Sequence, residues 1–361
     1  MSTEALTPRL EARPALRRGG GWLRPVLLSL GPVVVALAVS GALLLAFGVS
    51  PVDYYQAVIR RGLLSPSGIQ ETLTRMAPLL LLAASLTMAF RAGIWNLGGD
   101  GQFLLAAVTV AAVAPALQPH LPAAVVLSIC LVLGAAVGAV WSLLPALLRA
   151  YQGVNEIITT LMMTFLGVSF ANVLVKLVVF DPGTTVPQTR TLDVADRLPK
   201  LFETRVSSGL VIGLVAILTV HAVMTRTAFG LRLRVVGANT RAAIHAGLPV
   251  PRLTVAVFAL SAALAGLAGA VEILGVEGNV RADWNPAFSL TVVPLVFLAR
   301  FNGFASILFV FLFSVLSIGG ESAARITGVP NFFTLVLVAV LLVLLALAEY
   351  LDHLHRERTR A

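Results

Sequence analysis

The sequence is poor in charge, in cysteine and in lysine, and each shortage excludes a class of protein. Of the 361 residues only 12% are charged and 58% are apolar, about half the charged share of a soluble chain, so a water-soluble globular protein is excluded. Cys130 has no second cysteine with which to form an intramolecular disulfide. A nucleotide-binding P-loop requires Gly-Lys-Ser/Thr, but Lys176 and Lys200 lie in VKL and PKL. The chain therefore has no Walker A site of its own.

Residues arranged for catalysis or for metal binding are equally scarce. No pair of histidines and carboxylates has the spacing of metal ligands, so we expect no metal site. Ser169 follows Gly167 by two residues, but Ala171 occupies the position of the second glycine in the nucleophile motif GxSxG. Because neither a nucleophile motif nor a metal set is present, we expect that the chain is not an enzyme.

The net charge of +9 and the isoelectric point near 10.9 come from arginines. A nucleic-acid-binding protein would cluster such residues on a solvated face beside stacking aromatic residues. Here they collect beside apolar runs, within residues 9–24, 226–252 and 356–360. This is the excess expected of cytoplasmic loops next to membrane spans. We therefore expect a lipid bilayer, and no nucleic acid, as the partner.

Long apolar runs and a mean hydropathy of +0.93 predict a polytopic all-α membrane protein. A helix needs roughly 20 apolar residues to cross a bilayer, and the runs divide into about ten such helices. The predicted transmembrane helices are residues 26–48, 73–90, 101–118, 121–148, 155–180, 207–225, 252–275, 285–300, 303–320 and 330–350. The first run is longer than the apolar part of a signal peptide, so we interpret it as a retained span.

The arginines also predict how the chain is oriented. With an arginine-rich N-terminus inside and an even number of crossings, the N- and C-termini are both cytoplasmic. Residues 1–25 then form a cytoplasmic basic N-terminal segment, residues 26–351 the transmembrane domain, and residues 352–361 a cytoplasmic tail. Within the domain, residues 181–206 form an external loop of balanced charge, and residues 226–251 a cytoplasmic loop.

Small residues recur at a spacing of four in two of the predicted spans, as Gly134 with Gly138 and as Ala262 with Gly266. Small residues let helices approach closely in lipid. The pattern favours tight packing within one bundle, or else a contact between two copies. For ten spans an inverted repeat of five plus five is a fold-level expectation, although no internal sequence similarity supports it.

The stretch RAGIWNLGGDGQ, residues 91–102, places polar residues and four glycines between two apolar runs. Its polar residues are Asn96, Asp100 and Gln102. Non-helical backbone at membrane depth survives only when it is buried in protein or lines water. One interpretation is a broken-helix segment beside a substrate path. The other is an ordinary inner turn in which Asp100 caps the following helix.

Two further polar sites lie at the ends of predicted spans. Asn155 can cap the fifth span, and Glu156 in its first turn is favoured by the helix dipole. The alternative for this pair, which Thr159 and Thr160 follow, is a buried polar contact with a neighbouring helix. Glu272 lies near the outer end of the seventh span, where it either reaches water or has a functional role.

The loop between the sixth and seventh spans is arginine-rich but also patterned. Residues 240–246 favour a short amphipathic helix, capped by Asn239 or Thr240 and ended by Gly247. Two earlier glycines mark turns before it. Such a helix is a suitable surface for a partner protein, or it lies on anionic headgroups.

Four segments carry a family resemblance. FRAGIWNLGGDGQ and GVNEIITTLMMTF resemble the two signatures of permease subunits of bacterial ABC importers for nucleosides and simple sugars, the ribose-type and branched-chain-permease-like family. FGLRLRVVGANTRAAIHAGL is similar to the inner loop of these permeases, and ALSAALAGLAGAVEILG to the glycine-rich span that follows it. The likeness runs from about residue 70 to residue 345. Asp100 stands where glutamate is usual, Gly99 where alanine is common, and residues 300–303 replace a glycine-rich stretch, which leaves the substrate open.

The resemblance implies partners. Such a permease pairs with an identical or homologous permease, binds two ATPase subunits on its cytoplasmic face, and receives substrate from an extracytoplasmic binding protein. ATP-Mg is bound by the ATPase, and this chain binds no cofactor. The expected location is the bacterial cytoplasmic (inner) membrane. An ion-coupled secondary transporter of a small polar solute remains an alternative because broken spans are common in that class too.

The resemblance also implies site residues. The candidates for organising the substrate path are Trp95, Asn96, Asp100, Gln102, Asn155, Glu156 and Thr159. The candidates for the loop that couples to the ATPase are Gly230, Arg232, Arg234, Gly237, Asn239, Arg241, Ala242, Ala243 and Gly247.

Overall fold

The computed structural model describes residues 23–202 and 204–330, with side chains from residue 34 onward, and seven isolated positions between residues 333 and 347. The tail at residues 352–361, nearly all of the basic segment at residues 1–25 and most of the tenth predicted span lie outside the described residues.

Every regular element in the described ranges is helical, and only two isolated β-bridges accompany the helices. The helices are α1 (Leu23–Ala46), α2 (Pro51–Ile59), α3 (Pro66–Arg91), α4 (Gly99–Leu117), α5 (Ala123–Trp141), α6 (Leu143–Gln152), α7 (Glu156–Val173), α8 (Gly209–Arg226), α9 (Ala228–Ala238), α10 (Thr240–His245), α11 (Val250–Glu272), α12 (Phe288–Leu298) and α13 (Gly303–Thr327). One π-helical turn continues each of α2, α7 and α11, as Arg60–Leu64, Leu174–Val178 and Ile273–Glu277. The prediction of an all-α protein is confirmed.

Seven helical stretches are long and apolar enough to cross a membrane, which makes the chain a multi-pass membrane protein. They are Pro66–Arg91, Gly99–Leu117, Ala123–Gln152, Glu156–Val178, Gly209–Arg226, Val250–Glu277 and Gly303–Thr327. The apolar part of α1 with described side chains, Val34–Ala46, and the eleven-residue α12 are shorter. The number ten is therefore not reached within the described part of the chain.

The second predicted span begins earlier than residue 73. Helix α3 starts at Pro66, because Ser65 caps it by accepting a hydrogen bond from the Gly68 N–H (3.1 Å) and proline is favoured at the first helical position. The polar residues of its first turns, including Gln70 and Arg75, lower the hydropathy there without interrupting the helix. Hydropathy therefore finds the apolar part of this helix and misses its polar beginning.

Helix α11 lies at the centre of the bundle, packed against α3, α4 and α5. Helices α3, α4 and α11 are mostly buried, whereas α5, α7 and α8 expose most of their apolar surface. Because apolar surface is stable against lipid or against another subunit, the exposed helices form the periphery of the bundle.

Glycines allow close contact between α5 and α11. A Cβ on Gly138 would meet the Ala262 carbonyl oxygen, and a Cβ on Gly266 would meet the Gly134 carbonyl oxygen. The spacing of four small residues thus serves packing within one bundle, as predicted. The alternative, a contact between two copies through these residues, is wrong because both stripes face each other inside the subunit.

The bundle has two distinct ends. At one end, called here the short-helix end, α9 and α10 lie beside the turn after α3, where Gly237 approaches Gly93. At the other, the long-loop end, residues 179–208 connect α7 to α8 and pack on the end of α11, with the Leu198 N–H donating to the Leu274 carbonyl (2.8 Å).

Candidate functional site

The chain between α3 and α4 is extended and runs inside the bundle alongside α12. At its beginning the Trp95 ring lies 5.5 Å from the ring of Phe297, near the end of α12. At its end, Gly99 lies against the Ser289 side chain, at the start of α12, where a Cβ would collide. The eight residues from Ser289 to Phe297 rise about 12 Å along α12. Four extended residues, as from Trp95 to Gly99, span about 13 Å, so the two lengths agree. Helix α4 therefore begins about 12 Å inside the bundle from the end of α3.

This extended segment, residues 94–98, is the non-helical backbone expected of a broken-helix segment, and that part of the prediction is confirmed. Its polar backbone groups find partners on α7. The Leu97 N–H donates to the Thr160 hydroxyl (3.2 Å), and the Thr164 hydroxyl donates to the Leu97 carbonyl (3.0 Å). Since no water competes in a bilayer core, such partners are what allow an extended backbone to exist there.

Asn96 and Gln102 join the extended segment to α4 and α11. The Gln102 amide donates to the Asn96 side-chain oxygen (3.1 Å), and the Asn96 amide donates to the Ser261 hydroxyl (3.0 Å). The Asn96 oxygen also accepts from the Gly98 N–H (3.2 Å). All three side chains are buried. The two amides thus fix the path of the chain by hydrogen bonds, since buried amides require partners.

Asp100 caps a helix other than its own. Its carboxylate accepts a hydrogen bond from the Ser289 N–H (2.8 Å), in the first turn of α12. The residue that precedes α12 is Ala287, whose side chain cannot accept a hydrogen bond, so a carboxylate from α4 takes that role. The interpretation of Asp100 as the cap of the following helix is wrong, because the residue that precedes α4 is Gly98.

Alternate residues of the extended segment face opposite sides, as in a strand. Asn96 and Gly98 are buried, whereas Gly93 and Trp95 are exposed, and 39% of Trp95 is accessible at the surface of the subunit. Trp95 packs against Phe90 (5.1 Å between ring centroids) as well as Phe297. The segment therefore exposes an aromatic surface, while hydrogen bonds of amide side chains on its buried face anchor it to the bundle.

The predicted residues at the start of α7 separate into different roles. Asn155 caps α7 by accepting from the Ile157 N–H (2.9 Å). Glu156 forms an ion pair with Arg149 of α6 (3.2 Å) and is buried. Both interpretations of the pair are thus confirmed, capping for Asn155 and a polar contact with a neighbouring helix for Glu156.

Thr159 is half-buried, and its hydroxyl donates to the carbonyls of Asn155 (3.2 Å) and Glu156 (3.2 Å) at the start of its own helix. The threonines that reach the extended segment are Thr160 and Thr164, which sequence reasoning left out of the site. Their spacing of four places both on one face of an otherwise apolar helix, and this was the available signal.

The short helix predicted at residues 240–246 is confirmed as α10. Asn239 caps it by accepting from the Ala242 N–H (3.0 Å), and Gly247 ends it with a φ of +75°. Arg241 and Ala242 are exposed, and Ala243 is buried. Helix α10 thus offers a small exposed face at the end of the bundle.

The expectation that Gly230 and Gly237 mark turns is wrong, because both belong to helix α9. Each permits a close approach instead. A Cβ on Gly230 would meet the Val223 carbonyl oxygen of α8, and a Cβ on Gly237 would lie 2.7 Å from the Gly93 nitrogen. Gly93 immediately precedes the extended segment. Helix α9, which carries the exposed Arg232 and Arg234, therefore rests directly on the beginning of that segment.

Comparison with known proteins identifies the family. Residues 68–345 match the family described as branched-chain amino acid transport system, permease component. The chain belongs to this permease family. The permease is 33% identical to the glucose ABC transporter permease protein TsgB13 of Haloferax volcanii, over 88% of this chain and 86% of that protein. It is 28% identical to the nucleoside ABC transporter permease protein NupB of Lactococcus lactis, over 90% of this chain and 91% of that protein.

The guanosine ABC transporter permease protein NupP of Bacillus subtilis is 26% identical to the permease, over 90% of this chain and 94% of that protein. No solved structure matches the permease. The resemblance drawn from the four sequence segments is confirmed. The permease is a transport subunit of an ABC system rather than an enzyme, and its family implies an ATPase and a binding protein as partners.

Proposed function

We propose that the permease forms half of the translocation path of an ABC importer for nucleosides or related simple sugars. The observation that carries this proposal is the extended segment, residues 94–98, which is held within the apolar bundle and exposes the Trp95 side chain at the subunit surface. An indole face stacks on a nucleobase or on the apolar face of a sugar ring. The names of the relatives, which include glucose, nucleoside and guanosine permeases, agree with such solutes.

The remaining path candidates hold this surface in place. Asn96 and Gln102 anchor the extended segment, and Asp100 anchors α12 beside it. Asn155 and Glu156 fix the start of α7. This helix carries Thr160 and Thr164, which bond the extended segment, and also Thr159. In this proposal the amides and carboxylates hold the elements of the path in position, and Trp95 contacts the solute.

The proposed orientation places the short-helix end in the cytoplasm of a bacterial cell and the long-loop end outside its cytoplasmic membrane. The arginine-rich loop at residues 226–251 supports it, as does the balanced charge of residues 181–206. Both termini are then cytoplasmic and the crossings number about ten, in two inverted halves.

The proposed partners follow this orientation. Two ATPase subunits contact α10. The ATPase subunits bind ATP-Mg, and this chain binds no cofactor. A second permease, identical or homologous, faces Trp95 across the path, and an extracytoplasmic binding protein docks at the long-loop end. Closure of the ATPase pair moves α10 and α9, and the contact between Gly237 and Gly93 transmits the movement to the extended segment.

The test is transport by the complete complex, reconstituted in vesicles with its ATPase, second permease and binding protein. Trp95→Ala should lower the rate of ATP-driven nucleoside or sugar uptake about tenfold, the loss expected for a stacking contact of about 1.4 kcal/mol. Trp95→Phe should retain most of the rate. Phe304→Ala removes an exposed aromatic ring on α13 and serves as the control, with uptake unchanged.

Two outcomes would contradict the proposal. If Trp95→Ala and Phe304→Ala transport equally well, the extended segment does not line the path. If uptake continues without ATP and follows an imposed ion gradient, the chain works as an ion-coupled secondary transporter.

A further inference from the structure

A second polar site lies at the long-loop end, within a single subunit. A cavity of about 420 Å³ opens between the start of α3, the ends of α11 and α13, and the loop at residues 194–205. This volume is typical of sites for small molecules. Five cationic and three anionic side chains line it, which is an unusual concentration of charge in a chain with only 12% charged residues.

Glu272 lines this cavity, and one of its carboxylate oxygens has no donor among the described residues. The side chain is buried, with 2% of its surface exposed. Its Oε2 atom has no hydrogen-bond partner among the described residues. The charge of Arg75 attracts the Glu272 carboxylate, but the described structure has no hydrogen bond between these two side chains. A buried carboxylate oxygen without a donor is costly, so this atom marks a place where a donor from outside the chain fits.

The cavity wall supplies donors beside this acceptor. The guanidinium groups of Arg75 and Arg325 each lie 3.9 Å from a Glu321 carboxylate oxygen. At these separations neither guanidinium is hydrogen-bonded to the Glu321 carboxylate. The Arg325 Nε donates to the Glu321 carbonyl (3.2 Å), and the remaining N–H groups of both side chains retain capacity for a guest or for water. Arg197 is committed instead, since its guanidinium donates to the carbonyls of Leu192 (3.0 Å) and Val276 (2.9 Å). It holds the loop on α11 and so forms a fixed wall.

This mixture of groups selects the chemical class of the guest. An anion would meet the Glu272 carboxylate, and a cation would meet five cationic side chains against three anionic ones. A hydroxyl group both donates and accepts, so it can donate to Glu272 and accept from Arg75 or Arg325. We propose that the cavity binds a neutral hydroxylated solute, either a sugar or the ribose of a nucleoside, with Glu272 accepting its hydroxyl. This inference rests on the proposed function and names a receiving site for its solutes.

The position of the cavity fits a receiving site. Glu272 and Ser261 both belong to α11, and Ser261 binds Asn96 of the extended segment. Eleven helical residues span about 16 Å, so one rigid helix connects the cavity with the anchor of that segment. A solute held at Glu272 therefore lies at the opposite end of the bundle from α10, and α11 connects it to the proposed path.

The experiment uses site-directed labelling in the complete reconstituted complex. The single native cysteine, Cys130, is buried, so Thr74→Cys introduces one reactive thiol in the cavity wall. A membrane-impermeant maleimide is applied from outside with D-ribose, D-glucose or guanosine as protecting solute. At least one of these solutes should slow labelling threefold or more, in a saturable manner. Val186→Cys, on the exposed loop outside the cavity lining, should label at an unchanged rate.

Two comparisons sharpen the test. Ribose 5-phosphate and glucosamine, which carry a charge, should protect Thr74→Cys at least tenfold less well. Adding Glu272→Gln to Thr74→Cys should raise the half-protecting concentration about tenfold, the equivalent of a lost hydrogen bond of about 1.4 kcal/mol to a charged group. Asp193→Asn, at an exposed position of the long loop outside the cavity lining, should leave it unchanged.

The proposal is overturned if no neutral solute protects the Thr74→Cys thiol, if the charged analogues protect it equally well, or if Glu272→Gln has no effect in a correctly assembled complex. Protection of Thr74→Cys alone decides the matter should the double variant fail to assemble. A complex that transports these solutes without any such protection refutes the cavity and leaves the proposed function standing. If the unmodified complex transports none of the three solutes when ATP is supplied, the proposed function itself is refuted.

Discussion

Thr160 and Thr164 stabilise an extended backbone where a helix would satisfy its own hydrogen bonds. Their hydroxyls bond the N–H and the carbonyl of Leu97. Interhelical hydrogen bonds in membrane proteins average about 0.6 kcal/mol, but a buried N–H left without a partner costs about 1–3 kcal/mol. The side chains therefore matter through the backbone group that they satisfy.

This reasoning separates two neighbouring threonines. Thr160→Val should lower the thermal unfolding midpoint of the purified permease by a few degrees and reduce uptake, because the Leu97 N–H loses its acceptor. Thr159→Val is the matched control, since the Thr159 hydroxyl bonds only carbonyls of its own helix. Both quantities should stay near their original values for Thr159→Val. Equal losses in the two variants would show that the extended segment does not depend on α7.

Residue roles were predictable from the sequence where they are local. Asn155 and Asn239 cap the helices that follow them directly, because capping depends on two or three neighbouring residues. The partner of Asp100 is Ser289, 189 residues away. No rule of spacing identifies such a partner, so the sequence identified Asp100 as a polar residue in a span, and one of its two interpretations assigned the residue to the wrong helix.

At the scale of elements, the proposed coupling to the ATPase depends on the short helices α9 and α10. Helix α10 exposes Arg241 and Ala242, while Ala243 is buried against the bundle. The proposed docking surface therefore consists of the exposed residues of α10 on either side of Ala243. Substituting Ala243 would test folding, whereas substituting the exposed residues tests docking.

The combined change Arg241→Glu and Ala242→Glu should reduce co-purification of the ATPase subunit about tenfold and abolish ATP-driven uptake. The reason is that two new negative charges replace a cation and a small residue at the centre of the docking face. The measurement is the ratio of ATPase to permease after affinity purification, alongside uptake. Arg190→Glu, at the long-loop end, is the control and should retain both. Retention of the ATPase by the α10 variant would show that another surface couples the two subunits.

Elements were predictable where one physical property dominates. Apolar length identified α4, α8 and α11 to within a few residues. It failed for α9, because glycines in a polar loop indicate turns, whereas Gly230 and Gly237 here permit helix packing. For the extended segment, the polar residues and glycines of residues 91–102 indicated the break but not its depth, since only tertiary contacts with α7 and α12 show that α4 begins deep inside the bundle.

At the scale of the whole molecule, the distribution of polar groups divides the bundle into three levels, to which the proposed function gives different roles. The short-helix end carries the arginine-rich helices, the middle holds the extended segment, and the long-loop end holds the charged cavity. Helix α11 passes all three levels and contacts α3, α4 and α5. A displacement at one end therefore reaches the others through a packed helix, because closely packed interiors transmit displacement.

This division depends on which end faces the cytoplasm, and the single buried cysteine makes the orientation measurable. In intact cells an impermeant maleimide should label Val186→Cys on the long loop and should label Ala242→Cys on α10 only after the membrane is permeabilised. The positive-inside bias of residues 226–251 is the physical reason, since arginines resist translocation. Gln152→Cys, at the end of α6 that joins α7, is a second cytoplasmic position and should behave like Ala242→Cys. Labelling of Ala242→Cys in intact cells would invert the bundle. It would then place the charged cavity on the cytoplasmic side, where it could not receive a solute from outside.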